Sequence, residues 1–197
     1  MPPASGPADL LRALSSALRT HGCRWYLFGA QAVTIWGRPR LTTDVDVTIW
    51  LESGSTEQLL ATLGAAGFRL SFLCSDEFVR LTRVLPLVHE SSGMPLDLVL
   101  AGPGLEEQFL DRAVIVQLDE LSVPVISPED LIVTKVLAGR PKDVEDIRGL
   151  LRSRASSLDL GYVRRTLAMV EEALGQSDLR PVFETELSRA ISQRSTE

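Results

Sequence analysis

The sequence predicts an α/β (α+β) fold: a small mixed, mostly antiparallel sheet flanked by helices, followed by a helical C-terminal part from about residue 127. Up to residue 126, short apolar runs typical of strands alternate with leucine-bearing stretches of helical spacing. Beyond that point the periodic stretches all have helical spacing. We therefore expect a disordered tail over residues 1–7, a core over 8–126 and a helical part over 127–197 that completes a cleft with the core.

Length and composition limit the class of protein. A chain of 197 residues can form one well-buried domain with a small helical appendage, but not two large domains. Its 45% hydrophobic and 23% charged residues are ordinary for a soluble protein, and no apolar run approaches the ~20 residues of a membrane helix. The first seven residues lack the basic start and apolar centre of a signal peptide, so we expect a cytoplasmic protein with no membrane partner.

Cysteine and charge exclude several kinds of site. Cys23 and Cys74 lie far apart in a chain with only two histidines, which predicts two buried free thiols rather than a zinc site or a disulfide framework. The net charge of −6 argues against indiscriminate nucleic-acid binding, but it leaves room for a local basic strip.

Each element of the first part has its own signal. Leucines at helical spacing predict a first helix over residues 8–19, and the apolar residues after Gly22 predict a strand over 24–28. Gln31 to Trp36 is predicted as a short helix. The remaining predictions are a strand around residues 44–50, a helix over 55–66, a strand over 68–72, apolar runs over 78–89 and 94–100 joined by a hairpin signal, a short helix over 102–111, and strands over 113–116 and 123–126.

The second part is predicted from helix start and stop signals. Ser127 is a typical N-cap, Pro128 suits the first turn, an acid follows at Asp130, and Gly139 ends the helix. Pro141 marks the start of the next helix. Further helical spacing over residues 158–174 predicts a third helix, and residues 181–197 predict one weak helix and a polar tail.

Two acids stand out in the predicted strand around residue 45. Asp44 and Asp46 are two residues apart, so alternation along a strand points both carboxylates to one face. Neighbouring like charges disfavour joint ionisation, and a hard cation such as Mg²⁺ is the natural counter-charge. A metal held in this way suggests a phosphate ligand.

The preceding turn suits an anion. Gly29 and Ala30 are small enough for the backbone to approach a ligand closely, and they are followed by a predicted helix start at Gln31. Free N–H groups and the positive end of a helix dipole attract phosphate. A nucleoside triphosphate would lie between this helix start and the metal.

A strand ending in Gly29-Ala30, a short helix and Asp44-Val-Asp46 on the next strand together resemble the polymerase-beta-like nucleotidyltransferase superfamily. The stretch from Arg38 to Asp46, with Asp130-Leu-Ile-Val-Thr-Lys135 and the segment from Gly139 to Asp146, more narrowly resembles the AbiEii/MenT-like nucleotidyltransferases, many of them toxins. Gly29-Ala30 replaces the more usual Gly-Gly or Gly-Ser. The resemblance implies transfer of a nucleoside monophosphate from a triphosphate such as ATP to an acceptor hydroxyl, with Mg²⁺ or Mn²⁺ as cofactor.

The resemblance also implies site residues. Asp97, a lone acid in an apolar run, is the expected third metal ligand or base beside Asp44 and Asp46; a sheet-edge carboxylate bonded to backbone N–H groups is the alternative. Arg40 is expected to meet the triphosphate, although a solvated loop explains it equally well. Lys135 is expected to touch phosphates, or else to extend its alkyl stem to solvent.

Asp143 and Asp146 are three residues apart and share a helix face. The resemblance places a functional acid in this segment, which favours Asp143 as catalytic. Favourable interaction with the helix dipole, together with pairing of Asp146 with Lys142, explains the same residues without a catalytic role.

Three functions remain open. The toxin-like resemblance implies tRNA as acceptor and a cognate antitoxin as partner, with Arg140, Lys142, Arg164 and Arg165 as candidate tRNA contacts. A small-molecule acceptor, as in the aminoglycoside or lincosamide nucleotidyltransferases, uses the same chemistry. A catalytically silent nucleotide-binding or antitoxin-binding relative is the third alternative.

Overall fold

The structure is a computed structural model that describes residues 6–37, 42–51, 55–72 and 75–194. Within these residues the backbone forms nine helices and seven strands. The helices are α1 (Pro7–His21), α2 (Gly29–Trp36), α3 (Thr56–Ala65), α4 (Asp76–Thr82), α5 (Leu105–Asp111), α6 (Pro128–Ala138), α7 (Pro141–Arg154), α8 (Leu160–Leu174) and α9 (Leu179–Arg194). The strands are β1 (Arg24–Phe28), β2 (Val45–Trp50), β3 (Phe68–Leu70), β4 (Val84–His89), β5 (Met94–Leu100), β6 (Val114–Leu118) and β7 (Leu121–Val125).

The described strands form one sheet in the order β3-β4-β5-β2-β1-β7-β6. The pairs β2–β5 and β1–β7 are parallel, and the other four pairs are antiparallel. The predicted mixed, mostly antiparallel sheet is therefore confirmed. The predicted hairpin is also present, because β4 and β5 pair directly through His89 and Met94.

The chain divides into two compact units. The first comprises Met1–Gln31 and Leu41–Ile126, and the second comprises Ala32–Arg40 and Ser127–Glu197. In the first unit, α1 packs against β1, β7 and α3, and its predicted leucine stripe is buried. Alternate residues of the central strands, such as Val45, Val47 and Leu98, complete that core.

The second unit is helical, and α6 contacts α7, α8 and α9. Helix α6 begins as predicted: Ser127 Oγ accepts from the Asp130 backbone N–H, and Gly139 ends the helix with a left-handed φ of 60°. The end of α2 belongs to this unit, where Arg154 donates to the Trp36 carbonyl and stacks over its ring. A Cβ added at Gly37 would crowd Leu150, so glycine suits this close approach.

Several element predictions need correction. Residues 76–82 form α4, whereas their apolar residues were predicted as part of a strand, and β4 starts only at Val84. Helix α2 begins at Gly29 rather than at Gln31. Pro7 was predicted as the last residue of an N-terminal tail, but it is the first residue of α1. At the C-terminus, the helix predicted as weak is a sixteen-residue helix that buries Phe183.

None of the described helices is both long enough and apolar enough to cross a membrane. Cys23 is half-buried rather than fully buried, and it forms no disulfide with any described residue. Cys74 lies outside the described residues.

Candidate active site

Two aspartates lie side by side on the parallel strands β2 and β5. Asp46 is the register partner of Asp97, and neighbouring strands are about 4.8 Å apart with register partners on one face. Both aspartates are half-buried, whereas the flanking Val45, Val47 and Leu98 are fully buried on the opposite face. The sheet therefore brings two carboxylates from distant parts of the sequence to one place.

Asp44 immediately precedes β2 and is also half-buried. Thr42 Oγ1 donates a hydrogen bond of 2.6 Å to Asp44 Oδ1, which orients that carboxylate. Burial, and then the negative charge of Asp44, raise the pKa of Asp97 above its ordinary value. Asp44 is therefore close enough to act electrostatically on Asp97, and the three predicted acids share one neighbourhood.

Asp97 lacks a compensating group in the described chain. Among the residues that the structure describes, it accepts no hydrogen bond and pairs with no cationic side chain. The alternative interpretation of Asp97, a carboxylate bonded to backbone N–H groups, therefore has no support from these residues. An added cation would relieve the repulsion that Asp97 experiences from Asp44.

Gly29 forms the turn beneath these acids. Its φ of 62° lies in the left-handed region that side chains disfavour, and a Cβ built there would overlap the carboxylate of Asp46. Phe28 and Asp46 are register partners on the antiparallel pair β1–β2, which explains the close approach. Ala30 and Gln31 follow in the first turn of α2, so backbone N–H groups at a helix start lie next to the acids.

Lys135 lies in a separate cluster within the second unit. Its Nζ donates to Asp143 Oδ1 at 2.9 Å and to Asp146 Oδ2 at 2.8 Å. Lys135 is 5% exposed and Asp143 0% exposed, so this is a buried ion cluster. Arg140 also donates to Asp143, through its backbone N–H and its guanidinium.

This geometry changes the interpretation of the three residues. Burial raises the pKa of Asp143, but hydrogen bonds from Arg140 and Lys135 outweigh it and hold that pKa below its ordinary value. Asp146 pairs with Lys135, the residue that sequence reasoning directed toward phosphate. Lys135 thus reaches an anion, as expected, but the anions in the structure are two side chains of its own unit.

Sequence reasoning missed one residue of the site, and another residue that it predicted lies outside the described residues. Thr42, which sequence reasoning gave no role, donates a hydrogen bond to Asp44. A hydroxyl two residues before an acid in a turn was the available signal. Arg40, expected to meet the triphosphate, lies outside the described residues, as does Arg38.

Sequence comparison decides the family. Residues 10–179, most of the chain, match the family described as "Nucleotidyltransferase of unknown function (DUF6036)". The chain belongs to this nucleotidyltransferase family. The predicted superfamily and enzyme class are thereby confirmed. A search of curated proteins found no significant relative of this nucleotidyltransferase.

Two solved structures with TM-scores above 0.5 share the fold of this nucleotidyltransferase. An antigenic nucleotidyltransferase-like protein from Paracoccidioides brasiliensis aligns with a TM-score of 0.52 at 17% identity, over 91% of this chain and 90% of that chain. The lincosamide antibiotic adenylyltransferase LnuA, solved with lincomycin bound, aligns with a TM-score of 0.52 at 15% identity, over 75% of this chain and 97% of that one. MenT4, a nucleotidyltransferase toxin from Mycobacterium tuberculosis, gives 0.47 at 17% identity over 80% and 59%.

The acids of this nucleotidyltransferase fit a hard divalent cation. Oxygen donors from Asp46 and Asp97 adjoin on one sheet face, and burial, followed by the negative charge of Asp44, raises the pKa of Asp97 above its ordinary value. In the described part of the chain, no three His, Cys, Asp or Glu side chains form a complete metal cluster. A divalent cation such as Mg²⁺ is usually held by one or two carboxylates together with water and substrate phosphates, and Asp46 and Asp97 would supply these carboxylates.

Proposed function

We propose that this enzyme transfers a nucleoside monophosphate from a nucleoside triphosphate such as ATP to an acceptor hydroxyl, with Mg²⁺ or Mn²⁺ as cofactor. The observation that carries the proposal is the pairing of Asp46 with Asp97 on adjoining strands, directly above the Gly29 turn. It combines carboxylate oxygens for a cation with backbone N–H groups for phosphate. A nucleotide triphosphate with its metal requires both.

Each residue of the site has a role in this proposal. Asp46 and Asp97 would hold the cation at their adjoining positions, and Asp44 would join them once the cation is bound. The cation supplies charge neutralisation to the transferring phosphoryl group when bound. Gly29, Ala30 and Gln31 would bind phosphate oxygens through backbone N–H groups. Arg40 remains a proposed triphosphate contact.

The reaction needs little covalent participation by the protein. The acceptor oxygen forms a bond to the α-phosphorus, the bond from that phosphorus to the oxygen leading to the β-phosphorus breaks, and pyrophosphate leaves with the electron pair. The acceptor proton passes to the Asp97 carboxylate.

Lys135 and Asp143 have weaker support as direct participants. A phosphate contact by Lys135 requires its Nζ to leave two carboxylates in a buried environment, which is energetically costly. We propose instead that the cluster of Lys135, Asp143 and Asp146 fixes α6 against α7.

For the acceptor, the resemblance to toxin nucleotidyltransferases supports tRNA, with a cognate antitoxin as partner. The arginines expected to bind tRNA are ion-paired, however: Arg140 with Asp143, Arg164 with Glu184, and Arg165 more loosely with Asp159. Pairing weakens the positive potential that phosphate backbones require. This observation favours the second candidate, a small-molecule acceptor. Lincomycin, the antibiotic bound in the LnuA structure, is a molecule of this class.

The activity test uses the purified chain with Mg²⁺ and each nucleoside triphosphate labelled at the α-phosphate, together with total tRNA or a panel of aminoglycosides and lincosamides. Label is expected to move to an acceptor with release of pyrophosphate. Asp97→Asn, or Asp44→Ala with Asp46→Ala, is expected to lower the rate about a hundredfold or more. Asp178→Ala, at an exposed position before α9, is the matched control.

Circular dichroism checks that each variant keeps its helical content. Full transfer by a folded Asp44→Ala, Asp46→Ala double variant would discard the site. Transfer to tRNA but to no small molecule would reject the acceptor class that the ion pairing favours.

A further inference from the structure

Four register partners form a row across neighbouring strands of the sheet. Phe28 of β1 pairs with Asp46 of β2, Asp46 pairs with Asp97 of β5, and Asp97 pairs with Pro86 of β4. Side chains of register partners lie on the same face, and neighbouring strands are about 4.8 Å apart. The two acids of the site are therefore flanked by an aromatic ring on the β1 side and by a proline ring on the β4 side.

Pro86 is a close neighbour of Asp97. The Ser71 backbone N–H donates to the Pro86 carbonyl, so that carbonyl points toward β3 and away from β5. Pro86 and Asp97 therefore form a non-hydrogen-bonded pair, the type in which the Cα atoms of antiparallel strands are about 4.5 Å apart and the side chains lie closer. A molecule that meets the β4 side of the Asp97 carboxylate therefore also meets the surface of β4.

The face of β4 and β5 around Asp97 is apolar. Residues two positions apart on a strand share a face, so this surface comprises what we call the β4–β5 shelf: Val84, Pro86, Val88, Pro95 and Val99. Pro86 is buried, but Pro95 is exposed and the three valines are half-buried. The core lies on the other face, where four leucines of the two strands are buried. Antiparallel sheets commonly carry polar residues on the face away from their core, and the shelf has none.

Charge is sparse on this side of the sheet. Arg69 of β3 is the register partner of Val88, so it borders the shelf at the edge of the sheet, and its Nε lies 3.8 Å from Glu90 Oε1. Among the described residues of β3, β4 and β5 that share this face, Arg69 and Asp97 are the only charged ones. The shelf therefore offers neither a cluster of cations to a phosphate chain nor a row of acids to a polyamine.

We propose that the β4–β5 shelf binds the acceptor, and that the acceptor is a small molecule whose reactive hydroxyl adjoins an apolar face. This inference rests on the proposed transfer reaction. In phosphoryl transfer the attacking and leaving oxygens lie roughly in line. The Gly29 turn, which would hold the leaving pyrophosphate, is on the β1 side of Asp46. The acceptor oxygen then arrives from the opposite side, where Asp97 takes its proton and the shelf begins.

An apolar shelf discriminates between classes of acceptor. Each methylene group buried against it raises the affinity about fourfold. An ammonium or phosphate group placed there loses its water without gaining an opposite charge, which disfavours both aminoglycosides and tRNA. We expect the label to move to lincomycin, which carries an alkyl chain and a single amine, in preference to tobramycin, which carries several amines.

A charge placed on the shelf tests its role. Val88→Glu is expected to raise the KM for lincomycin about tenfold and to leave the KM for the nucleoside triphosphate unchanged. Val114→Glu introduces the same charge at an exposed position of β6, at the far end of the sheet, and is the matched control with both KM values unchanged. If circular dichroism shows that Val88→Glu fails to fold, Val88→Thr replaces it; its added hydroxyl is expected to raise the KM for lincomycin about threefold.

An unchanged KM for lincomycin in the Val88 variant overturns the proposal, and so does an equal rise in Val114→Glu. Transfer by the unmodified chain to tobramycin or tRNA in preference to lincomycin also overturns it, but leaves the proposed transfer reaction intact. Absence of transfer to every acceptor rejects the reaction itself, and the shelf proposal falls with it.

Discussion

Gly29 combines two obstacles to any side chain, a left-handed φ of 62° and contact with the Asp46 carboxylate. Gly29→Ala is expected to lower the free energy of unfolding by about 1 kcal/mol through backbone strain, and in addition to displace Asp46 and abolish transfer. Chemical denaturation and the labelled-nucleotide assay measure the two effects.

Gly175 provides the control for this substitution. Its φ of 66° imposes the same backbone strain, but a Cβ there meets nothing within 4 Å. Gly175→Ala is expected to cost similar stability with activity unchanged. Equal activity of the two variants would show that the Gly29 turn does not position Asp46.

Lys135 is the second residue whose role can be separated by substitution. Lys135→Met removes the cation shared by Asp143 and Asp146 and leaves buried carboxylates uncompensated, so unfolding free energy is expected to fall by about 3–5 kcal/mol. Lys142→Met, at an exposed position of the same region, is expected to change it by less than about 0.5 kcal/mol.

Kinetics then distinguish structure from phosphate contact. If the cluster only fixes α6 against α7, the Lys135→Met variant should keep its KM for the nucleoside triphosphate, measured at a low temperature at which the variant is still folded. A selective rise in KM with unchanged stability would instead restore the phosphate-binding role that sequence reasoning assigned to Lys135.

At the scale of residues, the sequence was informative where chemistry is local. The spacing of Asp44 and Asp46, and the isolation of Asp97 among apolar residues, singled out three acids. The sheet pairs Asp46 with Asp97, and Asp44 lies immediately before β2 and acts electrostatically on Asp97. The partners of Lys135 were not predictable in the same way. Asp143 and Asp146 lie in the next helix, and for a lysine side chain their carboxylates are as good a partner as a phosphate. Spacing alone does not choose between them.

Helices α7, α8 and α9 are joined by ion pairs that make stability depend on pH. A hydrogen bond from Arg148 lowers the pKa of Glu186, and a backbone hydrogen bond from Arg180 lowers that of Glu171. A folded-state pKa below the unfolded value stabilises the fold above the unfolded pKa, and this contribution disappears as pH falls through the folded pKa. The free energy of unfolding is therefore expected to decrease steadily below about pH 5.

Urea denaturation at a series of pH values measures this dependence. Glu186→Gln removes one contributing carboxylate, so its stability should fall less steeply between about pH 5 and pH 2 than that of the unmodified chain. Glu172→Gln, at an exposed position of α8, is the control. An identical slope for Glu186→Gln and the unmodified chain would contradict the contribution of the Arg148–Glu186 pair.

Elements were predicted well where a start or stop signal accompanied the periodicity, as at Ser127 and Gly139 of α6. The apolar residues Phe78, Val79 and Leu81 produced the main error, because a short apolar run does not distinguish helix from strand. Ser75 gives the missing signal, since its side chain accepts from the Phe78 backbone N–H and caps α4. Helix α9 lacked a clear apolar stripe, yet it buries Phe183 and Leu187.

For the chain as a whole, helix start signals and helical spacing predicted a boundary near residue 127, but they could not show which unit holds the residues that follow Gln31. Residues 32–36 continue α2 directly from Gly29, and nothing in their spacing separates them from the strand before. The structure groups them with the C-terminal helices. Long-range packing of this kind leaves no local signal in a single sequence.

The position of the end of α2 in the second unit predicts how a truncated chain behaves. A fragment ending at Ile126 retains all seven described strands, yet it loses the unit in which Ala32 and Val33 are buried and Trp36 is held by Arg154. Apolar side chains of α2 then face water, so we expect the fragment to aggregate, although its sheet is complete. Size-exclusion chromatography measures this outcome.

Adding residues 127–197 as a separate chain provides the control. If α2 needs the C-terminal helices, co-expression of the two pieces should yield a soluble 1:1 complex, because the missing partners of α2 are supplied in trans. Trp36→Ala in the fragment removes one exposed ring but leaves Val33 uncovered, so it should improve solubility only in part. A soluble, cooperatively unfolding fragment of residues 1–126 would instead mean that α2 is stable within the first unit alone.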